Sequence, residues 1–439
     1  MSPLFVTPKT VPSGIEAINA GNGRAVRQDM NELNPVRASR HAISIEQISR
    51  YADKLARSLD EEMRKAYRPT ERKTLRRFTV TELVELTGIP ASTIRRKHQD
   101  GVFPEVETDA RGYRTYSAED IDKIRGIMAE TRGGEDYRPG RRKGDEMQVI
   151  SVVNFKGGST KTTTTIHLAQ RYALRGYRVL VIDMDPQASL STFFGYRPEL
   201  DFDLPGELTI YDAIRYDDPD NGVRRASMRE VIRKTYFHNL DMCPASLMLS
   251  EYETETANAL SQGGRSTHSL FAIRLGEALQ MVKDDYDIVL IDCPPQLGFI
   301  TLTSLSASTG LIVTVVPGML DVASMSQFLK LATETMQVIS AKTGLRSEWD
   351  FVKFLVSRFE PNDGPQTQMA GYLRTILGSD VLINPTLKST AISDAGMTQE
   401  TIYEVDGRSM VKSTLDRALT SMNAVAAEIE EIVQQSWGR

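Results

Sequence analysis

The sequence predicts an α/β protein: a doubly wound, mostly parallel sheet around a phosphate-binding loop, preceded by a small α-helical winged helix-turn-helix domain. Three observations predict it. Apolar runs at 149–154, 178–183, 286–292, 310–316 and 351–357 alternate with helix-like segments, the βαβα pattern of a parallel sheet. The first run leads into Lys156-Gly157-Gly158-Ser159-Thr160-Lys161-Thr162-Thr163 and then a helix-like stretch from Thr162. Residues 78–98 and 112–116 read as helix, turn, helix and wing.

The loop has the parts that hold phosphate. In a strand, turn and helix start, successive backbone N–H groups point inward and the positive helix end adds to the field. Lys161 is placed to reach the β- and γ-phosphates, and the Thr162 hydroxyl to bind Mg²⁺. Against the pattern G-x-x-x-x-G-K-[ST], Phe155 and Thr160 stand at the two glycine positions, and a second lysine, Lys156, opens the loop. A solvated basic turn would explain Lys156 taken alone. The run 178–187 reads as a buried strand ending in Asp183, Asp185 and Pro186, and ligands of open parallel sheets sit at such carboxyl ends. The run 286–292 ends in Asp292 before Cys293-Pro294-Pro295, a carboxylate placed to hold Mg²⁺ through water. A cap or turn role would explain any one of these aspartates. Three strand-end signals in the right order point to a nucleotide site.

Read as K-G-G-x-x-K-T-T, the loop resembles the deviant Walker A box of the ParA/MinD ATPases, and 183–187 resembles their Walker A′ box. The resemblance implies that Lys156 crosses a dimer interface and touches the phosphates of the partner's nucleotide, as an arginine finger does. It implies that Asp185 positions the attacking water and that Asp183 supports the Mg²⁺ and the switch region. The expected catalytic residues are therefore Lys156, Lys161 and Asp185. The expected nucleotide-binding set is Lys156, Gly157, Gly158, Ser159, Thr160, Lys161, Thr162 and Thr163, with Thr162, Asp183 and Asp292 at the metal. Family members more often carry glycine where this chain has Thr160. The resemblance also implies that adenine packs near residues 358–361 and 387–395.

Composition sets limits. With 439 residues the chain holds about two to three domains of ~150 residues. Forty per cent hydrophobic and 25% charged are globular values. A net charge of −5 announces no nucleic-acid partner, so any basic surface must be local. Cys243 and Cys293 are the only cysteines, too few and too far apart for a metal or iron–sulfur cluster, which argues against the related iron-protein reductases. The first 30 residues lack the ~7–15-residue apolar core of a signal peptide, and no run approaches ~18 apolar residues. The expected location is cytoplasmic.

Ahead of the nucleotide domain (147–439) the chain divides into an arm without periodicity (1–40), a helix (41–68), the winged domain (69–130) and a linker (131–146). In the helix, Ile45, Ile48, Ala52, Leu55, Leu59 and Met63 recur at helical spacing. Such a stripe is to be buried in its own domain or against a partner chain, where it would serve dimerisation. Residues 78–86 read as the first helix of the motif, 87–90 as its turn and 91–98 as the recognition helix, with Ile89 and Ile94 in the core. Ser92, Thr93, Arg95, Arg96 and Lys97 are placed to reach the groove or its phosphates. Arg72, Lys73, Arg76 and Arg77 add positive charge upstream. The unit resembles the winged helix-turn-helix of MerR-type regulators, which implies that Arg114 and a tyrosine of the wing, Tyr113 or Tyr116, touch backbone phosphate. A small helical domain with a solvated basic face is the plainer reading. His98 reads as a helix-end residue. The linker is Gly- and Arg-rich; being basic it could lie along DNA, but by default it is a solvated tether.

Together these parts look like the large plasmid-partition ATPases, type Ia ParA, and among them the RepA family of RepABC replication–partition cassettes. Supporting stretches are 154–159, 183–189 and 358–363. MinD relatives fit less well, because Glu428, Glu430 and Glu431 near the C-terminus would repel anionic lipid. The resemblance implies an ATP–Mg²⁺ sandwich homodimer that binds DNA without sequence preference, associates with the nucleoid and is stimulated by a ParB/RepB-like centromere-binding partner. Lys388, Arg408, Lys412 and Arg417 are candidate contacts, though a solvated helix face explains any one of them. The winged domain would repress the chain's own operon. Two other classes stay open: a repressor with ATP as conformational effector, and a ParA that positions a chromosome or organelle.

Overall fold

The sheet that carries the phosphate loop has seven strands in the order β5-β6-β4-β7-β3-β8-β9. The computed structural model describes residues 44–66, 73–131, 134–202, 206–217, 222–261, 267–345, 348–407 and 410–439. The arm at 1–40 and Arg72 and Arg408 lie outside them. The strands are β3 (Gln148–Val153), β4 (Val179–Asp183), β5 (Arg233–Lys234), β6 (Leu240–Cys243), β7 (Ile288–Asp292), β8 (Gly310–Val315) and β9 (Phe351–Val356). All pairings are parallel except β5 on β6 at one edge. Strand residues alternate between two buried clusters: Ile150, Val152, Val179, Val181, Ile288 and Leu290 face one, and Val149, Val153, Leu180, Ile182, Val289 and Ile291 the other. Helices on both faces bury these near-continuous apolar runs, as parallel sheets require. The helices of the second face include α6 (Glu251–Ser261), α7 (Thr267–Gln280), α8 (Phe299–Ala307) and α9 (Met319–Thr343). α5 (Lys161–Arg175) and α11 (Lys412–Ser436) pack on the first; α10 (Gly364–Leu377) follows β9.

The chain divides into residues 1–71 and 72–439. In the first unit α1 (Ile45–Ala66) is a single helix, on which Ile45, Ile48 and Leu55 are exposed.

In the second unit, the winged domain starts with β1 (Phe78–Thr79), two residues ahead of its first helix, α2 (Val80–Thr87). The sequence reading puts Phe78 and Thr79 inside that helix. Thr79 is instead its N-cap: it accepts the Glu82 N–H, and Glu82 in turn accepts the Thr79 N–H at 2.8 Å. That cap needs extended backbone at Thr79, which pairs residues 78–79 with β2 (Thr115–Tyr116) of the wing. Gly88 makes the turn at φ +72°, and α3 (Ala91–Gln99) and α4 (Ala118–Ala129) follow. Ile89 and Ile94 are buried as expected.

One apolar cluster runs from this domain into the sheet, from Phe78, Ile94 and Ile124 through Ile166 to Val425 and Val433. Polar contacts fix the junction. Arg125, 2% exposed on α4, donates to Leu86 O at the end of α2 and to Leu174 O at the end of α5. Arg175 donates to the same Leu86 carbonyl at 3.0 Å and pairs with Glu430 of α11. Gly176 closes α5 at φ +100°, and a Cβ there would lie 3.0 Å from Arg125 Cδ. Lys73 pairs with Glu404 at 3.1 Å.

The linker is strapped down rather than solvated. Arg141 N donates to buried Asp287 at 3.3 Å, Arg141 Nη2 to Lys283 O at 2.6 Å, and Trp437 Nε1 to Glu146 O at 2.8 Å. Two of the three C-terminal carboxylates also turn inward. Glu428 accepts the Ile383 and Asn384 N–H groups, and Glu430 holds Arg175 and Tyr177. No helix among the described residues is long and apolar enough to cross a membrane.

Burial pulls the Arg125 pKa down to about 9, so the guanidinium stays charged at neutral pH, with two helix-end carbonyls accepting its hydrogen bonds. Arg125→Ala should cost about 2–4 kcal/mol, since it removes charged hydrogen bonds and leaves a cavity. Calorimetry should show a lower Tm and a split transition. An unchanged melt would show that the junction does not depend on this side chain.

Candidate nucleotide site and nucleic-acid interface

β3, flanked by β7 and β8, delivers the chain to the carboxyl edge of the sheet. There Asn154 shapes the loop. Its Nδ2 donates to Thr314 O, and its Oδ1 accepts the Lys156 N–H at 3.1 Å. Ser357, just past β9, donates to Ser159 O at 3.4 Å. Gly158 takes φ +74° and Thr160 φ +67° before Lys161 opens α5. The left-handed backbone at Thr160 costs a non-glycine residue roughly 1–2 kcal/mol and glycine very little, which is the physical reason a glycine suits this position. The Thr160 Oγ1 is also buried without a partner among the described residues.

Register places the carboxylates. Asp183 of β4 lies directly beside Asp292 of β7, and both are fully buried. Thr162 Oγ1 donates to Asp292 Oδ2 at 2.6 Å, while Asp292 Oδ1 is buried without a partner among the described residues. Asp183 Oδ2 accepts both the N–H and the hydroxyl of Ser191 at 2.8 Å, and its Oδ1 accepts the Asp185 N–H at 3.1 Å. Asp185 is half-buried and accepts the Gln187 N–H at 3.0 Å. Lys161, 7% exposed, donates to Lys156 O at 3.4 Å.

Burial, and then the charge of Asp183, pushes the Asp292 pKa well above the usual carboxylate range. Burial also pushes Asp183 up, and it pulls Lys161 down against the opposing pull of Asp292. Buried titratable groups shifted this far by burial and by one another mark a candidate functional site. No group of three or more His, Cys, Asp or Glu among the described residues could hold a metal by itself. A Mg²⁺ here would need phosphate oxygens as well, the usual manner for this ion, and the Thr162 hydroxyl and the orphaned Asp292 oxygen fit it.

The two loop lysines part company. Lys161 is inside; Lys156 is half-exposed at the rim, its Nζ 2.8 Å from Asp321 Oδ1 in the first turn of α9. Sequence reasoning did not single out Asp321 or Ser191. An acidic residue in the first turn after a strand end was the one available signal for Asp321. Residues 358–361 and 387–395 meet at the edge of the sheet, with Phe359 N donating to Thr386 O and Lys388 N to Phe359 O.

On the winged domain, Ser92, Arg95, Arg96 and Arg114 are exposed, and Thr93 and Lys97 half-exposed. None of these four cations has an ion pair among the described residues. The wing bridges Thr108 to Arg114. His98 is structural: Nε2 lies 3.1 Å from Tyr116 Oη and the ring packs on Phe103. Arg76 and Arg77, expected to face DNA, turn inward. Arg76 donates to Glu82 and to Tyr403 O, and Arg77 binds Asp120 and Thr115. In the domain of the seven-stranded sheet Lys388 is paired with Glu360 at 2.8 Å, whereas Lys412 and Arg417 are exposed on α11.

Residues 147–343 match the family described as an AAA domain, and residues 78–134 the MerR HTH family regulatory protein. Proteins named replication protein A from Sinorhizobium fredii and Rhizobium rhizogenes are each 46% identical to this chain. The matches cover 84% and 89% of this chain and 89% and 95% of theirs. The chain belongs to the RepA family of ParA-type partition ATPases. A solved structure described as a partition protein shares the fold, with TM-score 0.57 and 17% identity over 88% of this chain and 98% of its own. A RepA-family chain is thus a P-loop ATPase of the partition class that also carries a helix-turn-helix domain.

Thr160→Gly should raise the nucleotide-free Tm by a few degrees, equivalent to about 1 kcal/mol, because relief of the left-handed strain exceeds the added freedom of the unfolded chain. A lower Tm would mean that Thr160 is held by something other than strain. Asp292, with its pKa raised above an unfolded value of about 3.9, keeps its proton in the folded state where the unfolded chain has lost it. Its cost to stability therefore grows as pH rises above about 4, by at most ~1.4 kcal/mol per pH unit. Asp292→Asn should melt higher than wild type at pH 8 without nucleotide, with the gain shrinking as pH falls. A gain independent of pH would contradict this.

Proposed function

We propose that this RepA-family chain is a DNA-segregation ATPase that works as an ATP-bridged dimer on DNA. The observation that carries the reading is the division of labour between the lysines: Lys161 is buried in its own loop, and Lys156 stands exposed at the rim where a second copy can be met. Lys161 and the loop N–H groups bind the nucleotide's phosphates, and the Thr162 hydroxyl with Asp292 would hold a Mg²⁺, which would supply positive charge against the leaving phosphate. Asp185, half-exposed at the mouth of the site, orients the attacking water, and Lys156 of the opposite copy steadies the charge that develops on the transferred group. The exposed stripe of α1 adds to the contact between copies. Lys412 and Arg417 of the paired copies bind DNA phosphates without sequence preference, which would place the protein on the nucleoid.

Arg95, Arg96, Lys97 and Arg114, with Ser92 and Thr93, would bind an operator, and so repress the chain's own operon. A ParB/RepB-like partner would speed hydrolysis. A second reading, a repressor with ATP as a conformational effector only, draws on the strained Thr160 and on the rigid junction between α5 and the winged domain.

Light scattering of the full chain with a non-hydrolysable ATP analogue and Mg²⁺ should show a dimer. Lys156→Gln should stay monomeric and fall about 10²-fold or more in kcat. DNA-stimulated phosphate release should vanish in Asp185→Ala. Release that is unmeasurable even in wild type with DNA and partner would favour the effector reading. Operator binding should weaken in Arg95→Ala, with a salt dependence shallower by roughly one ion for each phosphate no longer neutralised.

A further inference from the structure

The ion pair between Lys156 and Asp321 holds the amine on its own protomer. It spans 2.8 Å, with the Lys156 side chain 48% exposed and Asp321 15% exposed. Asp321 sits in the first turn of α9, where the helix end favours a carboxylate. Gly318, the N-cap of α9, keeps room for it: a Cβ there would stand 3.1 Å from Asp321 Oδ2. A second interaction docks the loop on the same helix, the Phe155 ring lying 6.3 Å from that of Phe328. Met319 and Leu320, which precede Asp321 in the chain, are 72% and 78% exposed.

We propose that Asp321 is a positioning residue that latches Lys156 in cis, so that two copies close around their nucleotides only when each amine exchanges this carboxylate for the other copy's phosphates. The proposal rests on Lys156 acting across a dimer. The latch opposes closure by one copy, and the unstimulated ATPase is held low because few copies have released it. Occupied by Asp321, the amine is also kept from its own protomer's nucleotide.

The size of the effect follows from the kind of interaction. An exposed ion pair shifts an equilibrium by about 1.4- to 5-fold, and closure breaks two of them. Asp321→Asn should therefore dimerise at about 2- to 25-fold lower protein concentration than wild type. The probe is the full chain with a non-hydrolysable ATP analogue and Mg²⁺, followed by light scattering across a protein dilution series. The gap between variant and wild type should narrow towards one at ~1 M salt, where the screening length is about 3 Å. Unstimulated phosphate release at limiting protein should rise in the same direction. Asp321→Glu should behave like wild type, and Gly318→Ala, which crowds the carboxylate, should shift dimerisation the same way as Asp321→Asn but less. A nucleotide-free melt confirms that each variant folds; should Asp321→Asn not fold, Gly318→Ala carries the test. If wild type dimerises and neither variant shifts the midpoint, or if they weaken it, the latch is overturned while the dimer stands. If wild type itself stays monomeric with the analogue, the dimer reading fails instead.

Discussion

The alignment of β4 with β7 is the constraint on which the nucleotide site depends. It sets Asp183 against Asp292 in a fully buried layer, one step from the loop that ends in Lys161 and Thr162. Two adjacent carboxylates out of water repel each other and resist ionisation. Thr162 and Ser191 supply hydrogen bonds that offset part of this, and one oxygen of Asp292 has no partner among the described residues. A parallel sheet whose strands end together brings these groups abreast, so the chemistry is inherited from register rather than from any loop conformation.

From that layer α5 runs 15 residues, roughly 22 Å, from the loop to the winged domain. Its first residue is Lys161. Its last turn carries Leu174 and Arg175, which meet Arg125 and the end of α2. The phosphate loop and the first helix of the DNA-binding motif are thus bonded to opposite ends of one rigid rod. The apolar cluster shared by both domains makes the junction continuous rather than a meeting of two separate bodies.

Much of this was legible in the sequence. The five parallel strands with clear apolar runs, the phosphate loop and the three strand-end aspartates each carry a local signal, since a buried strand must be apolar and its ligand must sit at its carboxyl end. The recognition helix was legible for the same reason, through Ile89, Gly88 and Ile94. What was not legible depends on distant partners. Arg76 and Arg77 look like DNA-binding residues by composition, yet Glu82, Tyr403 and Asp120 lie close enough in space to take them. The linker at 131–146 looks like a tether until Asp287 and Trp437 are brought against it. The start of α2 differs from the periodic reading because Thr79 caps it, a choice between helix and extended backbone that periodicity alone does not decide. The pairing of Lys156 with Asp321 joins residues on two strands' exits, and no spacing rule links them.

The most direct measurement mixes two inactive full-length variants, Lys156→Gln and Asp185→Ala, and follows phosphate release with DNA present. The first keeps an intact hydrolytic site but has no amine to lend; the second lends its amine but cannot hydrolyse. Activity recovered in the mixture, absent from either variant alone, is the result expected if Lys156 acts on the other copy's nucleotide. A mixture that forms mixed dimers and is still as inactive as its components would contradict that and confine each lysine to its own protomer.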